Sequence, residues 1–294
     1  MKKLFKTFTI SVVMVASQPV VEGANYLTID FGSVAYSNGQ LIPGSSTVAG
    51  TAGQDGWAQL GTSSTSPIQI SNGYAVLGPT GQDVYHGFTG NANLVTLNLA
   101  TVYARFDLKI DSNASFATST GDELIANLNF TGTAGNTSAF GSRLGIKLSG
   151  SGYQIGMQLA NGGGATYTYG PTVFNFGQDY SVINVWNRVS GTLNDTYSQM
   201  VALNTAKNAT LQVSDYAAQF SGDQPYGSTT AEPTGAVGLN LRQGTTGPTA
   251  SFSRIFLGES LADVNVIPEP STGILMTFGL CVLVGLRACH RRSA

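Results

Sequence analysis

An all-β fold is the class the sequence predicts, on three observations. Apolar and polar residues alternate with a period of two in several runs, turn signals lie densely between those runs, and no stretch of the body keeps a helical period. "VYARFDLKID" sets Ala104, Phe106, Leu108 and Ile110 on one face and Tyr103, Arg105, Asp107 and Lys109 on the other, as a strand with one buried face requires. Its second face, where Asp107 and Asp111 alternate with Arg105 and Lys109, reads as a solvated charged edge. "ELIANLNF" repeats the pattern with Leu124, Ala126, Leu128 and Phe130 on one side. "RLGIKLSGSGYQIGMQLA" holds two such runs, Leu144/Ile146/Leu148 and Tyr153/Ile155/Met157/Leu159. Ser149-Gly150-Ser151-Gly152 between them predicts a hairpin with a short glycine turn. "YSVINVWNRVSG", "YSQMVALN", "AVGLNLRQG" and "ASFSRIFLG" follow as further strands, and "GSSTVAGTAGQDG" reads as loop or insertion. Turns are expected at Ser37-Asn38-Gly39, Asn72-Gly73, Pro79-Thr80-Gly81, Asn161-Gly162-Gly163-Gly164 and Pro248. Many short strands with such punctuation predict a sandwich or barrel, and about 240 residues suit one large all-β domain.

Composition excludes several functions. Charged residues make up only 10%, against roughly a quarter in ordinary soluble domains, while glycine reaches 37 residues. From Asn25 to Ile267 there are 8 Lys+Arg against 14 Asp+Glu, a net charge of −6, so the body lacks the basic footprint of a nucleic-acid binder. Both cysteines, Cys281 and Cys289, lie in the C-terminal tail, which leaves the body without a disulfide, a zinc-thiolate site or a thiol nucleophile.

The ends differ from the body. "MKKLFKTFTISVVMVAS" has a basic start, an apolar core from about Phe8 to Ala16 and small residues after it, the layout of a secretory signal peptide with cleavage expected between Ala16 and Ala24. A retained N-terminal helix competes, but its apolar core is short for a bilayer. At the other end the uncharged run from Ser271 to Leu286 is 16 residues. As a helix it spans ~24 Å, against a bilayer core of ~30 Å. Arg287, Arg291 and Arg292 would stay cytoplasmic by the positive-inside rule, with the body outside. Pro268 and Pro270 place the start of the span after them.

Pro268-Glu269-Pro270-Ser271-Thr272, the apolar span and the terminal arginines, in that order, resemble the PEP-CTERM sorting signal of Gram-negative bacteria. The resemblance implies an exosortase, a membrane cysteine protease, as partner, a transient stay in the inner membrane, and delivery to the cell surface or extracellular matrix. In the body, "YSNGQLIPG…GQDGWAQLGTSSTSPIQISNGYAVLGPTGQDVY", "DYSVINVWNRVSGTLNDTYSQMVALN" and "VGLNLRQG…SFSRIFLGESLADV" are similar to LamG-like, concanavalin A-like jelly rolls. Such domains often carry an Asp near the position of Ser253, so no polar site is carried over there. The implied organisation is a signal peptide over 1–24, a concanavalin A-like jelly-roll sandwich over 25–265, and a sorting signal with one apolar helix over 266–294.

That superfamily includes glycosidases, which need two carboxyl groups ~5–9.5 Å apart. Laminarinase-like members carry a Glu-x-Asp-x-Glu motif on one strand; Glu123, Glu232 and Glu259, the body's glutamates, sit in none. No catalytic residue is assigned, and a diverged glycoside hydrolase with acids converging from distant strands stays as the alternative. His86 reads as a partly exposed strand-end residue. Calcium suits this oxygen-rich composition better than zinc. Asp55, Asp83 and Asp195 lie in turns as candidates, but none has loop-binding spacing and no metal ligand is assigned. Trp57, Trp186, Tyr85, Tyr167 and Tyr169 have the flat faces that stack on sugars, though aromatics are also ordinary sandwich core. Trp186 reads as packing; Trp57, in a glycine-rich stretch, is kept as the glycan-contact candidate. The expectation is an exported surface or matrix protein, a non-catalytic carbohydrate-binding or structural module whose partner is extracellular polysaccharide.

Overall fold

The computed structural model describes residues 25–42, 52–60, 66–88, 101–119, 121–129, 140–158, 166–187, 195–205, 210–223, 238–244 and 246–267. Among them run β1 (Asn25–Asp30), β2 (Gly39–Gln40), β3 (Trp57–Leu60), β4 (Gln69–Ser71), β5 (Tyr74–Leu77), β6 (Asp83–Gly87), β7 (Thr101–Asp111), β8 (Glu123–Asn129) and β9 (Phe140–Ser149). Then follow β10 (Gly152–Gln158), β11 (Thr168–Tyr169), β12 (Asp179–Asn187), β13 (Thr196–Leu203), β14 (Leu211–Gln212), β15 (Ala217–Asp223), β16 (Gly238–Leu241), β17 (Thr249–Gly258) and β18 (Val266–Ile267).

All of these strands but β14 and β18 form two antiparallel sheets. One runs β15-β13-β12-β7-β17-β5-β4-β2, with β1 also paired to β17; the other runs β11-β10-β9-β8-β16-β6-β3. Their facing sides share one apolar core, to which β7 gives Phe106, Leu108 and Ile110 and the opposing sheet gives Leu144, Ile146, Tyr153, Ile155 and Leu241. Each such side chain contributes about 1.5–3 kcal/mol of burial. The predicted hairpin is present: β9 and β10 pair from Ser149↔Gly152 to Arg143↔Gln158, and Gly150 takes the turn at φ 58°.

Two expectations are corrected. The alternation of β8 breaks at bulges between Leu124 and Leu128, so Ile125, Ala126 and Leu128 all reach the core while Leu124 does not. The charged face of β7 is not a solvated edge either: Arg105 and Asp107 are fully buried. A second small cluster, Ile183, Val185, Phe256, Val264 and Val266, lies outside this sheet. It brings in the parallel pair of β14 and β18. β7 is central, flanked by β12 and β17, and the segment leading to Ile267 lies against its outward face. Among the described residues, no helix is long and apolar enough to cross a membrane.

Candidate functional site

The outward face of the seven-stranded sheet carries the chemistry. Register puts Tyr85, Asn240 and Asn127 side by side across β6, β16 and β8. On β9, the residues between the core-facing Leu144 and Ile146 and at either side of them point outward: Arg143, Gly145 and Lys147. Their partners on β10 are Gln158, Gly156 and Gln154.

The two outward glycines are seats for aromatic rings. A Cβ at Gly156 would stand 2.6 Å from Tyr169 Cδ1, and one at Gly145 would collide with the Tyr167 ring. The ring centroids lie 5.9 Å apart at 35°. Lys147 Nζ stands 4.2 Å from the Tyr169 centroid, a cation–π contact, and Arg143 Nη1 donates to Gln158 Oε1 at 3.0 Å. The Tyr169 hydroxyl donates to Asp122 Oδ1 at 2.8 Å. Burial, then the bond to Asp122, raises the Tyr169 phenol above its ordinary range; burial also pushes Tyr167 up to about 12. Both phenols are therefore neutral at any physiological pH.

Because the seats need bare glycine, Gly156→Ala is expected to displace Tyr169 and cost about 1–3 kcal/mol of overpacking. Chemical denaturation and the fluorescence of the neighbouring tyrosines report both effects. Asn240 is a different case: among the described residues, both of its buried amide atoms, like Oδ1 of Asn127, have no hydrogen-bond partner. An orphaned buried amide costs about 1–3 kcal/mol, so Asn240→Leu is expected to hold or raise the melting temperature. A clear fall in melting temperature would mean that water satisfies the amide.

At the β3–β6 end of this sheet a cavity of about 730 Å³ is lined by residues that include Tyr26, Asp55, Tyr85, His86 and Phe88. Asp55 has a left-handed φ of 47°, and its carbonyl accepts from His86 Nε2–H at 2.8 Å. His86 is only 6% exposed, which corrects its reading as a partly exposed residue; it packs edge-on to Trp57 at 5.3 Å. Trp57 itself is fully buried. It stacks on Phe31 at 6.0 Å, and its indole N–H donates to the Tyr36 hydroxyl at 3.0 Å. It presents no ring face to solvent, so the glycan-contact expectation for Trp57 is corrected. Trp186 is also buried, donating to Asp195 Oδ2 at 2.9 Å.

The carboxylates of the candidate metal set stay apart. Asp55 borders the cavity, Asp195 is bonded to Trp186, and Asp83 holds Arg242 at 2.9 Å. Burial raises the Asp83 carboxyl while Arg242 opposes that rise. Among the described residues no three His, Cys, Asp or Glu side chains group as metal ligands would. The adjacent Asp122 and Glu123 are also engaged, Asp122 by Tyr169 and Glu123 by the hydroxyls of Thr246 and Ser119. Pro268, Glu269, Pro270, Arg287, Arg291 and Arg292 lie outside the described residues, as do residues 1–24 and both cysteines.

What sequence reading missed is the company of the tyrosines. The signal was present in "RLGIKLS", where Arg143 and Lys147 share an outward parity with Gly145, but only strand pairing brings them to Tyr167 and Tyr169.

The site and fold together define an all-β sandwich with an aromatic and polar outer sheet face. No family model matches the chain, and no curated protein does. Among solved structures it is similar to the exoplasmic/lumenal domain of VIP36 in a Ca2+/Man-bound form, at 14% identity over 76% of this chain and 90% of that one, with a TM-score of 0.42. It is also similar to the carbohydrate recognition domain of Emp47p (11% identity, 80% and 97% covered, TM-score 0.39). A third such structure is an alginate lyase from Pseudomonas aeruginosa (13%, 68% and 80%, TM-score 0.39).

Proposed function

We propose that this protein is an exported, exosortase-sorted surface or matrix component whose LamG-like, concanavalin A-like sandwich binds carbohydrate without cleaving it. The observation that carries the binding reading is the pair of tyrosine rings seated over Gly145 and Gly156, with amides and cations beside them. A flat aromatic ring pairs with the apolar face of a pyranose, and amide and hydroxyl groups satisfy the sugar hydroxyls. Hydrolysis would need one carboxyl poised as acid and another as base or nucleophile. Asp83, Asp122 and Glu123 are instead held by Arg242, Tyr169 and Thr246. The sorting reading is supported by the Pro268-Glu269-Pro270 motif, its apolar span and Arg287, Arg291 and Arg292.

Retention of the purified chain in polysaccharide-loaded native gels tests the binding reading. Retardation by at least one polymer, lost in Tyr169→Ala at unchanged stability, is the expected result; retardation by none overturns it. Release of reducing ends from a bound polymer would overturn the non-catalytic part. Intact mass of the mature protein from cells with and without exosortase tests sorting. Loss of the segment after the Pro-Glu-Pro only when the enzyme is present is expected.

A further inference from the structure

We infer that the cavity between β1 and the β3–β6 edge is a second binding site, and that it takes a small primary amine in its ammonium form. This site is independent of the carbohydrate reading. It starts from His86, whose ring lines the cavity and is only 6% exposed. A carbonyl can only accept, so the 2.8 Å bond to Asp55 puts the ring proton on Nε2. In the neutral imidazole Nδ1 is then an acceptor, and among the described residues it has no hydrogen-bond partner. A buried acceptor left unpaired is costly, and this one belongs to the wall of a cavity of about 730 Å³.

The rest of the wall has the same polarity. Asp55 is held in a left-handed conformation at φ 47°, and Gly56 follows it at 79°. Two contacts hold it there: its carbonyl accepts from His86, and its carboxylate takes the hydroxyl of Tyr36, which in turn accepts from the Trp57 indole. Strain of this kind in a non-glycine residue persists where the surroundings over-determine it, and it collects at ligand sites. One bond from Tyr36 leaves the carboxylate most of its lone pairs. Tyr26 spends its hydroxyl proton on Glu259 and so offers only an oxygen. Tyr85 and Phe88 add aromatic rings, and none of the described lining residues is Lys or Arg.

Acceptors, a carboxylate and aromatic rings together suit a ligand group that only donates and carries positive charge. Ammonium is that group, with three N–H donors, no acceptor and an attraction to ring faces. A hydroxyl would bring an acceptor of its own. A metal ion would find His86 and Asp55 without a third ligand, since no three His, Cys, Asp or Glu side chains group together among the described residues.

The experiment is titration calorimetry of the full chain with butylamine and with butanol, its neutral counterpart of similar size, at about pH 8, where an ordinary imidazole is neutral. Nitrogen NMR of a His290→Gln variant, which leaves His86 as the one imidazole, reads the ring directly. The amine is expected to bind about tenfold tighter than the alcohol or better, and to move the Nδ1 resonance as that lone pair takes a hydrogen bond. Asp55→Asn is expected to lower amine affinity by about fivefold, the factor an exposed ion pair supplies, and to leave butanol unaffected. The variant should fold, because Asn tolerates the left-handed region. Tyr169→Ala should leave amine binding unchanged, which separates this site from the tyrosine face. Equal binding of the alcohol overturns the ammonium assignment. Amine binding that leaves Nδ1 unmoved, or that persists undiminished in Asp55→Asn, is general attraction to an acidic body and overturns the site, as does no amine binding at all.

Discussion

Asp107→Asn is expected to destabilise the sandwich by about 3–5 kcal/mol, the cost of removing one partner from a buried ion cluster. Asp107 is fully buried and accepts four hydrogen bonds from two guanidinium groups: Arg105 Nε and Nη2 at 2.8 and 3.0 Å, and Arg254 Nε and Nη2 at 2.9 and 2.8 Å. Arg105 also donates from Nη1 to the carbonyls of Val264 and Asn265, at 3.2 and 2.6 Å. One carboxylate thus balances two buried cations and, through Arg105, secures the last turn of chain before Ile267. An amide at position 107 leaves both guanidinium groups uncompensated and offers Nδ2 hydrogens where they require an acceptor. In a domain of this size each kcal/mol moves the midpoint by about 2–4 °C, so thermal unfolding should shift down by roughly 10 °C or more. The triple change Arg105→Met, Asp107→Leu and Arg254→Met should recover much of the loss, because an apolar replacement of the whole cluster is often neutral or favourable. If Asp107→Asn unfolds within a degree or two of the parent, the cluster is hydrated and the balance described here is wrong.

That cluster also shows where sequence patterning succeeds and where it stops. Alternation in β7 correctly places Ala104, Phe106, Leu108 and Ile110 in the core, because facing the opposite sheet is a local property of a strand with period two. What covers the other face is not local. Asp107 is paired by register with Arg254, almost 150 positions on, and is roofed by a segment beyond that. A charged face under a third layer is indistinguishable in sequence from one under water. The tyrosines illustrate the same limit from the other side. Tyr167 and Tyr169 are legible as sugar-stacking residue types, but their seats are Gly145 on β9 and Gly156 on β10, two strands and one strand over, and two glycines among 37 carry no visible mark. Trp57 stood out because it lies among glycines and turns, and those turns prove to fold it inward.

Trp57→Ala is expected to cost about 3–5 kcal/mol, within the range for removing a fully buried large aromatic side chain. The loss has identifiable parts. The stack on Phe31 goes, the Tyr36 hydroxyl loses the indole N–H, and the edge contact that props His86 beside Asp55 disappears. Burial and the bond to Trp57 act oppositely on Tyr36, the first raising its pKa and the second lowering it, so the phenol remains a buried neutral group with a polar atom to satisfy. Trp57→Phe keeps much of the ring area and removes the N–H, so its cost should be smaller, about 1 kcal/mol for the hydrogen bond plus whatever void the smaller ring leaves. Because Trp57 sits under the sheet and the tyrosine seats lie strands away on its outer face, polysaccharide affinity measured on the folded protein at low temperature should change less than about twofold in Trp57→Phe, a shift well under 1 kcal/mol. Tyr169→Ala should behave in the opposite sense, losing affinity with little loss of midpoint, because its ring rests on the sheet and not within the core. A Trp57→Phe variant that keeps its melting temperature but loses tenfold in affinity would return the indole to the binding site, and would require that the face opened by β3 and β6, not the one over β9 and β10, is where the sugar lies.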